Sequence, residues 1–323
     1  MKKVLVSGYI GFNNFGDEAI FKALSYHLLN MGYSVSVLSN KKYKNIKSYK
    51  RLSILKAILN CDVLISGGGS LLQNKTSNLS LVYYLFIILA AKICFKKIII
   101  FAQGIEKIKG SFFEFITKTI LKRCDCISTR DEKSTQLLKK RGIEAITLSD
   151  PVYSILPEIN NNKEGLIVQL RECAHNILDE LAFAIKNNYK GKIGVLALQD
   201  CDIDICSKFV VKLKELGIKA DYIYNEDVDK VFDCLNSAKY VISTRLHGLM
   251  VSNALKARVF ALSYDDKTQT AIEELELESI NLKNPINIQE KLSSFFNSEK
   301  KNKEYRKFSF DKIDEAMNGF FKK

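Results

Sequence analysis

The feature that most constrains this chain is a regular alternation of short β-branched apolar runs with longer helix-patterned stretches. In the first half the runs are Val4 to Ser7, Val35 to Leu38, Val63 to Ser66, Ile98 to Phe101 and Cys126 to Thr129. Helical patterns follow over residues 17–31, 52–59, the long stretch after Ser66, 112–121 and 133–140. Continuous apolar strands need cover on both faces, so β-α alternation implies a parallel sheet between helical layers. The pattern pauses between Asp150-Pro151 and Gly165, where two of the three prolines and the run Asn160-Asn161-Asn162-Lys163 mark a linker. It then resumes with strands at Leu166 to Leu170, Ile193 to Ala197, Ala220 to Tyr224, Tyr240 to Ser243 and Val259 to Ser263, before a polar helical tail. The expected fold class is α/β, as two doubly wound Rossmann-like domains with an interdomain cleft. The first spans residues 1–155 and the second 163–300, with a helical tail over 301–323 whose last helix is expected to cross back onto the first domain. A chain of 323 residues is long enough for two cores. In such sheets ligands collect at the carboxyl ends of strands.

Charge and cysteine usage narrow the function classes. The formal charge is +13, much of it in scattered lysine pairs such as Lys41-Lys42 and Lys139-Lys140 that suit solvated faces. Neither an RNA-binding aromatic motif nor a zinc-finger spacing is present, so nucleic acid is not an expected partner. The eight cysteines include no CxxC pair, and no metal site is expected from them. The start MKKVLVSGYIG reads as a first strand rather than a targeting segment, and a cytoplasmic location with reduced thiols is expected. The greasiest run, Leu79 to Ala91, is shorter than the ~20 residues a bilayer span requires and reads as a buried helix. Together with the positive charge it leaves room for a peripheral contact with an anionic membrane at its inner face.

Candidate chemistry sits at the strand ends. The first βα turn, Gly8 to Glu18, carries three glycines without the GxGxxG spacing, so a dinucleotide is not indicated. Its Asp17 and Glu18 open a helix, either as simple helix-start acids or as a carboxylate that handles a sugar hydroxyl. Ser66-Gly67-Gly68-Gly69-Ser70 follows a strand and precedes a helix, so its backbone N–H groups can face an anion or an acceptor, and Gln103-Gly104 repeats that placement. Arg130 and Arg171 each close a strand, one in each half. A guanidinium fork there fits carboxylate or phosphate, although Asp131 and Glu172 beside them also allow structural ion pairs. The sharpest element is Ser243-Thr244-Arg245-Leu246-His247-Gly248, where a strand ends and a helix begins. In extended backbone, Arg245 and His247 would point the same way, pairing an anion ligand with a proton carrier. Of the three histidines, His247 is the best placed for acid–base work. Lys267, past the strand end at Ser263, is another candidate cation for phosphate, or an ordinary loop lysine paired with Asp266.

These motifs together resemble the polysaccharide pyruvyl transferase family, particularly its CsaB-like bacterial cell-wall branch. The resemblance is carried by GYIGFNNFGDEAI at 8–20, ISGGGSLLQ at 65–73, AQGI at 102–105, STRDEKS at 128–134, SDP at 149–151, STRLHGLMVSNA at 243–254 and SYDDK at 263–267. It covers most of residues 1–270. It implies a GT-B-like pair of domains, with the acceptor on the N-terminal side and phosphoenolpyruvate, a co-substrate rather than a cofactor, on the C-terminal side. The implied product is a pyruvate ketal on a sugar. In the CsaB-like branch that sugar is N-acetylmannosamine of a lipid-linked secondary cell-wall polysaccharide precursor, and the ketalised glycans anchor S-layer proteins. Carried over by position, His247 and Asp17 are the implied catalytic residues. Arg245, Lys267, Arg171 and Arg130 are the implied substrate-binding residues, and Leu246 with the strand-end loop residues Gly68, Gly69 and Gln103 completes the candidate substrate-binding set. The acid-rich stretch Gln199 to Ile205 has no place in this pattern. Two other readings share the same features: a GT-B glycosyltransferase using a nucleotide sugar, and a non-catalytic protein that binds anionic glycans.

Overall fold

The computed structural model describes residues 1–75, 77–298 and 302–321. The chain divides into two compact units. The first comprises residues 1–12 and 16–155 with the chain from Lys307 on, and the second residues 13–15 and 156–306. The expected break between residues 300 and 301 lies outside the described residues.

The first unit runs β1 (Lys3–Ser7), α1 (Phe15–Asn30), β2 (Ser34–Leu38), β3 (Lys47–Tyr49), α2 (Ile54–Leu59), β4 (Val63–Ser66), α3 (Asn78–Ile93), β5 (Lys97–Gln103), α4 (Ser111–Leu121), β6 (Cys126–Thr129), α5 (Glu132–Lys140) and β7 (Ile146–Thr147). Its seven strands are all parallel, in the order β3-β2-β1-β4-β5-β6-β7. Strand alternation sends successive side chains to opposite faces, so apolar runs such as VLIS and IIIFA feed two cores at once. Leu64, Ile98 and Ile100 pack under α2, α3 and α4 through Ile58, Leu81, Leu85, Ile88 and Leu121. Ile65, Ile99 and Phe101 point the other way, onto Ile20, Leu24 and Leu28 of α1.

The second unit runs β8 (Leu166–Gln169), α6 (Leu178–Asn188), β9 (Ile193–Ala197), α7 (Ile203–Glu215), β10 (Ala220–Tyr224), α8 (Val228–Ser237), β11 (Tyr240–Ser243), α9 (Leu246–Ala254), β12 (Arg258–Ser263), α10 (Asp266–Leu275), β13 (Glu278–Asn281) and α11 (Ile288–Asn297). These strands are also parallel, in the order β10-β9-β8-β11-β12-β13. Leu166, Val168, Val195, Ile242 and Phe260 meet Leu181, Phe209, Leu213, Leu292 and Phe295 from α6, α7 and α11. The chain then returns to the first unit with α12 (Asp311–Phe321), which buries Ile313 and Met317 against the α1 side of that sheet. Phe310 stacks on His27 at 3.8 Å, and His27 Nε2 lies 2.7 Å from Asp314 Oδ1.

The region after Ser263 departs from the expectation of a purely helical tail. β13 extends the second sheet there, paired with β12 from Phe260↔Glu278 to Ser263↔Asn281. It is an edge strand whose only fully buried side chain is Ile280, so its sequence shows no apolar run. The two-residue β7 and three-residue β3 escape pattern reading for the same reason.

Candidate active site at the carboxyl ends of the strands

Each sheet order reverses once, between β1 and β4 in the first unit and between β8 and β11 in the second. Such switch points leave a crevice outside the strand ends where ligands bind. In the second unit Gln169 is in register with Ser243, and Ser243 with Ala261. Arg171 and Arg245, each two residues further on, therefore stand level with Ser263, the last residue of β12, with Tyr264 next.

Gln169 organises this strand end. It is fully buried, and its Oε1 accepts from Ser243 Oγ at 2.8 Å and from the Arg245 backbone N–H at 2.9 Å. Its Nε2 donates to Asp202 Oδ2 at 3.2 Å. Asp202 in turn receives Arg245: Nε donates to Oδ2 at 2.9 Å and Nη2 to Oδ1 at 2.6 Å. Both side chains are withdrawn from water, at 12% and 1% exposure. Burial opposes the guanidinium charge, but the paired bonds and charge of Asp202 raise its pKa further above the ordinary arginine value. Sequence reasoning missed Asp202 and Gln169. The signal for Asp202 was the acid-rich 199–205 stretch; for Gln169 it was a polar residue closing an otherwise apolar strand.

Arg171 Nη1 donates to the Tyr264 hydroxyl, and its guanidinium lies 4.9 Å from that ring's centre. It does not pair with Glu172 in the way its neighbour in sequence allows. Burial, then Asp265, push the Tyr264 phenol up to about 12, against the pull of Arg171 and Arg245. The hydroxyl accepts from Arg171. Arg245 is the N-cap of α9 in extended backbone, and its side chain makes no capping bond. The helix begins at Leu246, so the extended-chain alternation invoked for Arg245 and His247 does not apply. His247 instead occupies the first turn of α9, half-buried, beside the half-buried Leu246. Lys267 is half-buried in the first turn of α10, whose N-terminus is capped by Asp265 accepting from Thr268 N at 2.9 Å.

In the first unit the glycine loop is shaped by close approach. Gly69 has φ +82°, and a Cβ there would stand 2.7 Å from Asp17 Oδ1. A Cβ on Gly68 would overlap Ile20 Cγ2. Asp17 is thus held against the loop, half-buried, with its charge among those raising the pKa of buried Tyr84, where burial is the larger cause. Its neighbour Glu18 is structural: Oε1 accepts from Gly11 N at 2.6 Å and Oε2 from the Tyr43 hydroxyl at 2.9 Å. Gln103 lies past an irregularity in β5 where Ala102 takes φ +43°. That break aims its carboxamide into the loop, donating to Gly67 O at 3.0 Å and accepting from Leu71 N at 3.1 Å. Gln103 therefore braces the glycine loop from beneath. Arg130, 8% exposed, donates to Ser70 Oγ at 3.3 Å and lies 3.7 Å from both Asp131 and buried Asp150. The structure thus groups Arg171, Arg245 and Tyr264 at the carboxyl edge of the second sheet, past the ends of β8, β11 and β12. Asp17, Gly68, Gly69 and Gln103 gather around the glycine loop of the first unit, and Arg130 reaches it through Ser70.

Two parallel sheets clothed by helices define an α/β protein of GT-B-like fold. A UDP-N-acetylglucosamine 2-epimerase from Methanocaldococcus jannaschii has the same fold at a TM-score of 0.66 and 14% identity, over 99% of this chain and 100% of that one. A putative enzyme of that name from Listeria monocytogenes gives 0.65 at 10% identity, over 99% and 97%. MurG from Acinetobacter baumannii gives 0.52 at 13% identity, over 92% and 90%. Comparison with curated proteins yields no match. The family model for polysaccharide pyruvyl transferases matches residues 14–266, and the chain belongs to that family.

Proposed function

We propose that this enzyme transfers the enolpyruvyl group of phosphoenolpyruvate to two hydroxyls of a sugar on a lipid-linked glycan precursor, closing a pyruvate ketal. The observation that carries this reading is the convergence of Arg171, Arg245 and the Tyr264 hydroxyl at the switch point of the second sheet, beside a helix N-terminus that its own N-cap side chain leaves uncapped. A small, highly charged donor needs fixed cations and amide dipoles rather than mobile water. Arg171 and Lys267 supply cations, and Tyr264 a neutral hydroxyl donor. Arg245 would bridge Asp202 and the donor, with Asp202 keeping the guanidinium in plane.

His247, protonated, would deliver a proton to the methylene carbon of the donor, leaving the adjacent carbon electrophilic. A sugar hydroxyl adds there and loses its proton, the C–O bond to phosphate breaks, and the second hydroxyl closes the ring as its own proton leaves. The products are inorganic phosphate and a ketal in which the sugar has gained pyruvate less one water. Asp17, held against Gly69, is our candidate for the carboxylate that orients the sugar hydroxyl. N-acetylmannosamine of a secondary cell-wall polysaccharide, in the manner of the CsaB-like branch, is the acceptor this reading tries first.

The neighbouring folds include nucleotide-sugar enzymes, so the discriminating experiment compares donors. Thermal shift of the wild type with phosphoenolpyruvate and with a panel of UDP-sugars should show stabilisation by phosphoenolpyruvate alone. Stabilisation by a UDP-sugar alone would replace this reading with a glycosyltransferase.

A further inference from the structure

We propose that the helical face of the first unit formed by α2, α3 and α4 docks in the plane of an anionic lipid bilayer. The apolar run of α3 is mostly buried, with Leu81, Leu85, Ile87 and Ile88 in the core. The helix nevertheless exposes a second stripe, Leu79, Val82, Phe86 and Ile93, at helical spacing on its outer side. The neighbouring segment repeats that spacing: Leu52, just before α2, and Leu55 and Leu59 within it, are all exposed. On α4, Phe112 and Phe115 are each 67% exposed, and Phe95, after α3, is 95% exposed. The three helices adjoin, α3 packing against both others, and Lys96 Nζ donates to Leu59 O at 3.4 Å where α2 and α3 end. An exposed apolar surface spread over three adjacent helices marks an interaction site rather than scattered surface residues.

Charge identifies what covers it. Residues 41–125 carry sixteen lysines and arginines against four acids, of which Glu106 pairs with Lys75 and Asp125 with Lys92 and Lys97. Helices α2 and α3 contain no acid, and the single acid of α4, Glu114, is paired with Arg141 at 3.0 Å. Exposed Lys50, Lys56, Lys109, Lys122 and Arg123 flank the stripes. A second copy of the same face would set this charge against itself, whereas anionic headgroups neutralise it while acyl chains take up the leucines and phenylalanines. Among the described residues no helix is long and apolar enough to cross a membrane, so the contact lies along the surface.

The test needs no turnover and is independent of the pyruvyl-transfer reading. The chain contains no tryptophan, so Phe115→Trp is a reporter without background. Mixing it with phosphatidylglycerol-containing vesicles should shift its emission to the blue and float the protein. Pure phosphatidylcholine should do neither, and Phe183→Trp, on the exposed side of α6 in the second unit, should stay unshifted. Phe112→Ser/Phe115→Ser, Lys118→Glu/Lys122→Glu, or high salt should each weaken flotation by ~10-fold or more. Absence of flotation, or an equal shift at both tryptophan positions, would overturn the proposal. So would a dimer in sedimentation velocity that dissociates in Phe112→Ser/Phe115→Ser, which would assign the face to a second copy.

Discussion

Replacing Asp202 by asparagine isolates the arrangement on which the second unit's strand end depends. The carboxylate is 1% exposed and receives two bonds from Arg245, at 2.9 and 2.6 Å, and one from Gln169 at 3.2 Å. Solvent screening is weak at this burial, and removing one partner of such a pair strands the other charge, at a cost of about 3–5 kcal/mol. The asparagine amide keeps part of the hydrogen bonding, so about 3 kcal/mol is expected. For a unit of this size each kcal/mol moves the melting temperature by about 2–4 °C, so the second unit should melt about 6–12 °C lower. If Arg245 also contacts the donor, phosphoenolpyruvate supplies the missing anion and should raise the melting temperature of Asp202→Asn by more than it raises that of the wild type. Calorimetry with and without phosphoenolpyruvate reads both effects. An unchanged melting temperature would refute the buried-pair energetics. Equal donor stabilisation in the two proteins would refute a shared role for Arg245.

Other consequences follow at single residues. Gly69→Ala places a methyl 2.7 Å from Asp17 Oδ1 in left-handed backbone, so pyruvyl transfer should fall at least ~10-fold with a stability loss of only about 1 kcal/mol, read by kinetics beside thermal unfolding. Tyr264→Phe removes the hydroxyl that accepts from Arg171 and should raise the KM for phosphoenolpyruvate by ~5–20-fold with little change in fold, a loss of about 1–2 kcal/mol for one hydrogen bond. Asp125 has its pKa lowered below 3.8: burial works against this, but bonds from Lys97, Ile98 N and Lys92 prevail. A depressed carboxylate contributes stability that is present above its unfolded pKa and lost as pH falls through the folded value. Asp125→Asn should therefore flatten the loss of stability below about pH 4, measured by denaturant titration across pH.

The sheets were legible because their strands are apolar on both faces: Val63 to Ser66 and Tyr240 to Ser243 could be read as buried strands from composition alone. Edge elements were not, since β13 buries only Ile280 fully, and a helical tail reads equally well over such a polar stretch. At the site, residues sharing a strand end with a glycine or arginine motif could be nominated, because a parallel sheet brings those ends together whatever the helices do. What could not be read were contacts set by loop geometry. Asp202 reaches Arg245 across 43 positions of sequence, and Gln103 turns inward only because Ala102 breaks the register of β5. The spacing of Arg245 and His247 also misled in one respect, since periodicity does not tell at which residue extended backbone gives way to the first helical turn.

The most direct test of the central claim is to incubate the purified chain with phosphoenolpyruvate and a panel of lipid-linked sugars, measuring released phosphate and acceptor mass together, for the wild type and for His247→Ala. The account predicts phosphate release matched by an acceptor that gains one pyruvate less one water. It also predicts that a folded His247→Ala still binds phosphoenolpyruvate but turns over ~10²–10⁴-fold more slowly. Wild-type turnover by His247→Ala would contradict the assignment of that histidine, and sugar transfer from a nucleotide donor with no ketal formed would contradict the function itself.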